Sequence, residues 1–157
     1  MAIPMIEPAI PMIEWYHIIL RLSVAMLIGC AIGFERELHY KSIGIRTLGL
    51  VSLGSALAVL AVVKNSNDIG RVIQGVITGV GFLGTGVILH GRNGAPVHGL
   101  TTAATIWISA SVGALCALGE WLILFVGCVL TFLLLEVGVR VEKWLERRSP
   151  DANSGQG

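Results

Sequence analysis

Polar side chains follow one face of a glycine-rich apolar stretch, and such groups could bind an ion or a partner inside a membrane. At 100° per residue, one line of side chains falls within an arc of about 80° on a helix. That line consists of Arg71, Gln74, Thr78, Gly81 and Thr85. A later apolar run carries a matching line of Thr102, Thr105, Ser109, Gly113 and Cys116. We expect the two lines to face one another as a narrow polar seam. The seam is either hydrated and able to bind an ion or a partner, or dry, with each hydroxyl bonded to the carbonyl four residues earlier.

Glycines form a second face on the same stretch. Gly75, Gly79 and Gly86 share one arc, and Gly75 and Gly79 have the GxxxG spacing that lets membrane helices approach closely. Gly79, Gly81 and Gly84 also match the GxGxxG pattern of dinucleotide sites. That pattern needs a preceding strand, a soluble βαβ unit and a later acidic residue, so we interpret the match as accidental. The sequence contains no HExxH, P-loop or other catalytic set, and we therefore expect no enzymatic activity and no cofactor.

The elements that carry these faces are predicted to be membrane helices. Of the 157 residues 54% are hydrophobic and 13% are charged, and the mean hydropathy is +0.79. Soluble domains carry about 25% charged residues. Apolar segments lie at about 15–34, 48–63, 72–89, 102–118 and 121–139. The sequence thus predicts an all-α integral membrane bundle of five transmembrane helices, with the third and fourth as its core. Residues 1–14 form a leader, 15–139 the membrane domain and 140–157 a cytoplasmic tail.

Basic residues predict the orientation, because they concentrate in loops on the inner side of the membrane. With the N-terminus outside and the C-terminus inside, the outer loops hold only Lys64 and Arg71. The inner loops then hold Arg36, Lys41, Arg46, Arg92, Arg140, Lys143, Arg147 and Arg148. Arg21 lies within the first segment, and we expect it to reach the interface or to pair with Glu14, Asp68 or Glu120. The net charge of +1 makes nucleic acid an improbable partner.

The first inner loop supplies a second group of candidate residues. Glu35 and Arg36 leave the first segment, and Arg46 and Thr47 enter the second. Ion pairs among Glu35, Arg36, Glu37 and Arg46 could join the two segments. The alternative is a belt of basic side chains at the membrane interface with no further role. Thr101 or Thr102, which follow Gly99, are expected to cap the fourth segment.

Three motifs now carry a resemblance. The inner loop GFEREL with GIRT, the run GVGFLGTGVIL after Arg71, and GLTTAATIW resemble the MgtC/SapB family of bacterial inner-membrane proteins over about residues 18–135. The matching positions are Glu35, Arg36, Gly44, Arg46, Thr47, Arg71, Gly79, Gly81, Phe82, Gly84, Gly86, Gly99, Leu100, Thr101, Thr102, Ala103, Ala104 and Trp107. The resemblance implies a multi-span protein linked to growth at low magnesium and, in some members, to survival inside host cells. Longer members carry a soluble domain after the fifth span.

Residues and resemblance together lead to one expected function and one alternative. We expect a non-enzymatic inner-membrane protein that supports magnesium homeostasis by regulating or binding other inner-membrane proteins. The alternative is a transporter or channel for Mg²⁺ or another divalent cation, and the sequence leaves its metal ligands unknown. The glycine faces indicate self-association as a homo-dimer, with membrane lipid around it.

Overall fold

Five helices make up the regular structure. The computed structural model describes residues 12–41, 43–64, 66–88 and 99–148, and every regular element in these ranges is helical. The elements are α1 (Met12–Leu38), α2 (Ile45–Val62), α3 (Ser66–Val87), α4 (Leu100–Leu118) and α5 (Trp121–Arg148). The all-α class and the helix positions are therefore confirmed.

Four of the helices, α1, α2, α4 and α5, are long and apolar enough to cross a membrane. The third helix is not among these four. Its glycines, together with Asp68, Arg71 and Gln74, lower its mean hydropathy. The prediction of five spans is thus confirmed for four helices.

The chain divides into two compact units, Met1–Trp121 and Leu122–Gly157. The first unit holds α1 to α4, and the second holds the rest of α5. Within the first unit, α2 and α4 pack on each other, and both α1 and α3 pack on this pair. The prediction that the third and fourth segments form the core therefore holds for α4 and is wrong for α3. In the described part of α3, only Val80 and Gly84 are buried, whereas α4 buries ten of its 19 residues.

Each end of the first unit is marked by a bond between α1 and α4. At the end called here the Arg36 end, Arg36 of α1 bonds Thr102 near the start of α4. At the opposite Arg21 end, Arg21 of α1 bonds Ala117 near the end of α4. Lys64, which precedes α3, lies beside Arg21, and Gly84 near the end of α3 packs on Ala103. The third helix therefore runs the length of the first unit, although it is less apolar than the four helices that qualify as membrane spans.

The helix ends at the Arg36 end follow from local backbone chemistry. Tyr40 has a φ of 53°, and this left-handed residue stops α1. Gly99 precedes α4 with a φ of 93°, and a Cβ at this position would collide with the carbonyl oxygen of Val87. Glycine is required there because other residues rarely adopt a positive φ and would also fill the space.

Close contact between α1 and α2 depends on a different pair of glycines from the pair identified in the sequence. A Cβ on Gly29 would lie 2.7 Å from the carbonyl oxygen of Leu48, and one on Gly33 would lie 2.6 Å from the Cα of Ile45. Gly29 and Gly33 have the GxxxG spacing. The motif that brings two helices together within the described chain is thus on α1.

Candidate functional site

A buried arginine is the main polar feature of the Arg36 end. The side chain of Arg36 is only 4% exposed, and its Nη2 donates a hydrogen bond of 2.7 Å to Thr102 Oγ1. Arg36 lies in the last turn of α1 and Thr102 in the first turn of α4, so the bond joins residues 66 positions apart. Burial of a charge is costly unless its hydrogen-bonding groups find partners. Thr102 supplies one of those partners, which explains why a hydroxyl is needed at this buried position.

Two buried polar atoms near this bond, Arg36 Nε and Glu35 Oε2, have no hydrogen-bond partner among the described residues. The other carboxylate oxygen of Glu35 lies 3.2 Å from Nδ1 of His39. Native proteins leave few such atoms unpaired.

Among the described residues of the first inner loop, no ion pair links Glu35, Arg36 or Glu37 to Arg46, so the first of the two alternatives is not seen. The carboxylate of Glu37 instead accepts a hydrogen bond of 3.3 Å from the backbone N–H of Ile45. Arg46 and Thr47 are exposed. Glu37 thus connects α1 to the first backbone N–H of α2. The contact is favourable because the N-terminus of a helix carries partial positive charge.

The polar line of α4 is buried, but it does not face the polar line of α3. Ser109 Oγ donates a hydrogen bond of 2.7 Å to the carbonyl oxygen of Leu48 in α2. Thr102 bonds Arg36 of α1, and a Cβ on Gly113 would collide with the carbonyl oxygen of Ser52 in α2. Thr105 is buried and donates to the carbonyl of Thr101. This line therefore serves the contacts of α4 with α1 and α2.

The polar line of α3 is exposed along its whole length. Its members Arg71, Gln74, Thr78, Gly81 and Thr85 are all exposed. Thr78 Oγ1 donates to the carbonyl of Gln74 at 2.8 Å, and Thr85 Oγ1 donates to that of Gly81 at 2.9 Å. These are the bonds expected of the dry alternative. The predicted polar seam between α3 and α4 is wrong, because the threonines of α3 face away from the protein.

Open glycines beside a groove are the main feature of α3. A Cβ on Gly75, Gly79, Gly81 or Gly86 would meet no atom within 4 Å. Gly75 and Gly79 line a groove of about 450 Å³ between α2 and α3. The other lining residues are Thr47, Leu50, Val51, Gly54, Ser55, Val76, Val80 and Leu83. We call this surface the α2–α3 groove, and within the described chain no side chain fills it.

Comparison with known proteins assigns the chain to a family. A model described as the MgtC family matches residues 22–144. This chain belongs to the MgtC family. Protein SrpB of Synechococcus elongatus is 40% identical over 154 residues, which cover 88% of this chain and 85% of SrpB. Protein MgtC of Salmonella typhimurium is 46% identical over 104 residues, covering 66% of this chain and 44% of that protein. No solved structure gives a significant match.

The chain therefore spans less than half of the longer Salmonella relative but most of SrpB. Family membership and the four apolar helices identify it as a multi-pass membrane protein. The MgtC-family match includes all three motifs of the sequence analysis.

The structure brings together only part of the predicted site. Arg36 and Thr102 bond directly, and Glu35 is adjacent to Arg36. Thr101 is exposed and Trp107 is 46% exposed, so these two motif residues face outward. Thr47 of α2 and Gly79 of α3 line opposite sides of the α2–α3 groove. Of the motif residues of α3, Gly84 packs on Ala103 in the first turn of α4. The others lie along the exposed face of the helix, at Arg71, Gln74, Thr78, Gly81 and Thr85.

Sequence reasoning missed the serines that join the helices of this MgtC-family protein. Ser52 Oγ donates to the carbonyl of Ala25 at 2.7 Å, and Ser55 Oγ donates to that of Ala110 at 2.6 Å. Ser109 makes the equivalent bond from α4 to α2. The spacing of Gly49, Ser52 and Ser55 along one face of α2 was the available signal, since small and hydroxyl residues concentrate where membrane helices meet.

Proposed function

We propose that this MgtC-family protein is a non-enzymatic inner-membrane protein that supports adaptation to low magnesium by binding other membrane proteins. The α2–α3 groove is the proposed docking surface, and a transmembrane helix is the proposed occupant. The observation that carries the proposal is the open glycine face of α3, where Gly75 and Gly79 have space for an approaching backbone. Membrane helices associate through such small-residue faces.

The exposed polar line of α3 supports docking in a second way. Gln74 and Thr78 are exposed, and a polar side chain facing hydrocarbon is unfavourable without a partner. A helix bound along α3 would shield this line and supply partners for the Gln74 amide. A second copy of the chain is one such helix source, so a homo-dimer through α3 belongs to the same proposal.

The use of buried hydroxyls favours a binding role over ion transport. Ser52, Ser55 and Ser109 each donate to a carbonyl of a neighbouring helix. These groups are therefore occupied in holding α1, α2 and α4 together. A path for Mg²⁺ would need oxygen ligands around a water-filled opening, and these three hydroxyls lie instead at closed helix contacts.

We further propose that α3 crosses the membrane, with the N-terminus outside and the C-terminus inside. The support is that α3 connects the Arg21 end to the Arg36 end. Its 22 residues extend about 33 Å, which matches a hydrocarbon core of about 30 Å. The basic residues of the loops favour the same arrangement.

The docking proposal is tested by filling the groove in cells that lack their own copy of the protein. Gly79→Leu places a side chain in the groove, whereas Gly86→Leu is a matched control on the same helix, at an equally open glycine outside the groove. We expect the wild-type and Gly86→Leu chains to restore growth in low-magnesium medium and Gly79→Leu to fail, at equal protein levels in the membrane.

A flux assay separates this function from transport. Purified protein in liposomes is expected to pass no Mg²⁺ under a concentration gradient. Restoration of growth by Gly79→Leu would contradict the docking surface. Mg²⁺ flux that depends on the protein would instead establish the transporter alternative.

A further inference from the structure

A second cavity lies at the Arg21 end and shares no lining residue with the α2–α3 groove. It has a volume of about 250 Å³ and lies between α1 and the end of α2. Its lining consists of His17, Ile18, Arg21, Leu60, Val63 and Lys64. We call it the Arg21 pocket. Two of these side chains, Arg21 and Lys64, are basic, a third is a histidine, and none of the six is acidic.

Arg21 is held in place by the end of α4. Its Nη1 donates a hydrogen bond of 2.5 Å to the carbonyl oxygen of Ala117. The guanidinium lies so close to Gly119 that a Cβ there would be 2.9 Å from Nη2. A cation is favourable at this position because the C-terminus of a helix carries partial negative charge. A guanidinium has five N–H donors, so the bond to Ala117 leaves donors for a ligand.

The other lining residues give the pocket two chemically different parts. Ile18, Leu60 and Val63 are apolar, whereas His17 and Lys64 are exposed and basic. Trp15 and Tyr16 are 53% and 65% exposed on the adjoining turn of α1. Aromatic side chains of this kind are enriched at the membrane–water interface. The pocket thus combines basic groups at interface depth with an apolar wall.

We propose that the Arg21 pocket binds the phosphate group of an anionic phospholipid. Arg21, Lys64 and His17 contact the phosphate, and the apolar residues contact the acyl chains. Arginine suits this role because its planar donors match the oxygens of a phosphate. Basic pockets between membrane helices bind lipid head groups on the cytoplasmic side of membranes, and the Arg21 pocket has the same combination of groups on the side proposed to be outside. A soluble phosphate ion shares the charged chemistry but makes no use of the apolar wall, and this favours the lipid.

The test uses the full chain in mild detergent with native mass spectrometry. Phosphatidylglycerol is the anionic probe and phosphatidylcholine the zwitterionic reference. The test variant is His17→Gln with Lys64→Gln, because both side chains are exposed and Arg21 also supports α4. Lys41→Gln is the matched control, since Lys41 is an exposed base that follows α1 at the opposite end.

We expect wild type and Lys41→Gln to retain phosphatidylglycerol in preference to phosphatidylcholine. Loss of the Lys64 charge should weaken retention by about fivefold, and the double variant should lose at least that much. Equal retention of the two lipids, or equal loss in Lys41→Gln, would overturn the proposal. Displacement of phosphatidylglycerol by excess inorganic phosphate would also overturn it, because the site would then belong to a soluble anion. The outcome is independent of docking at the α2–α3 groove.

Discussion

Arg36 shows how one residue type can be retained inside an apolar bundle. Its side chain is buried, and its Nη2 donates to Thr102 Oγ1 at 2.7 Å. A lysine at this position would have a compact ammonium group in place of the planar guanidinium, whose N–H donors point in several fixed directions. The pair joins the last turn of α1 to the first turn of α4. We expect its contribution to stability to come from this buried hydrogen bond.

Removal of the Thr102 hydroxyl should destabilise the protein more than removal of the Thr101 hydroxyl. Thr102→Val keeps the side-chain shape but leaves a second N–H of Arg36 unpaired, at a cost of about 1–3 kcal/mol. Thr101→Val is the matched control, because Thr101 is exposed. The free energy of unfolding in detergent measures both.

A double variant separates the bond from general packing. Arg36→Met with Thr102→Val replaces both partners by apolar groups, and we expect it to lose less stability than the two single changes summed. Additive losses, or a Thr102→Val change no larger than that of Thr101→Val, would show that the bond contributes nothing to stability.

At the scale of helices, two GxxxG pairs have opposite environments. Gly29 and Gly33 of α1 lie against the backbone of α2, whereas Gly75 and Gly79 of α3 face open space. Both pairs have the same spacing in the sequence. Their difference arises from which helix lies opposite, and this depends on contacts across the whole unit.

Alanine substitutions should distinguish the two pairs. Gly33→Ala pushes a Cβ to 2.6 Å from the Cα of Ile45, so α1 and α2 must separate and stability falls by roughly 1–3 kcal/mol. Gly79→Ala meets no atom, and its better helix propensity gives a neutral or slightly stabilising change of up to about 1 kcal/mol. Unfolding of the monomer, followed by tryptophan fluorescence, checks both. An equal loss in the two variants would mean that α3 is packed as closely as α1.

Hydrophobic runs and motif order were sufficient to predict the helices and the family. A long apolar run in a membrane must be helical, because its backbone groups can then bond within the segment. The positions of α1, α2, α4 and α5 could therefore be predicted from the apolar runs alone. The hydrogen-bond partners of Thr102 and Ser109 could not be predicted in this way. A helical periodicity shows which residues share a face, but not which helix that face contacts. Thr78 and Thr85 are the clearest case, since their stripe was expected to face α4 and is exposed.

At the scale of the whole molecule, the path of α3 decides the topology. If α3 crosses the membrane, residue 41 and the C-terminal residues lie on the same side. If it does not cross, an even number of spans separates the two ends of the chain, and residue 41 lies opposite the C-terminal residues. The proposed orientation therefore depends on the helix that is least apolar.

Cysteine labelling tests this arrangement. In a background without the three native cysteines, single cysteines replace Lys41, Lys64 or Ser154. An impermeant thiol reagent should label Lys64→Cys in intact spheroplasts, and label Lys41→Cys and Ser154→Cys only after lysis. Labelling of Ser154→Cys from outside while Lys41→Cys stays protected would mean that α3 does not cross.

Photo-crosslinking in living cells can capture a helix of another membrane protein, or of a second copy, in the α2–α3 groove. A photoreactive amino acid replaces Leu83, which lines the groove, or its neighbour Phe82, which is 82% exposed outside it. At low magnesium, we predict a discrete protein crosslink from position 83 that is absent from position 82 and disappears when Gly79→Leu is added. Protein crosslinks of equal yield from both positions, or none from position 83 in cells whose growth depends on the protein, would contradict the account.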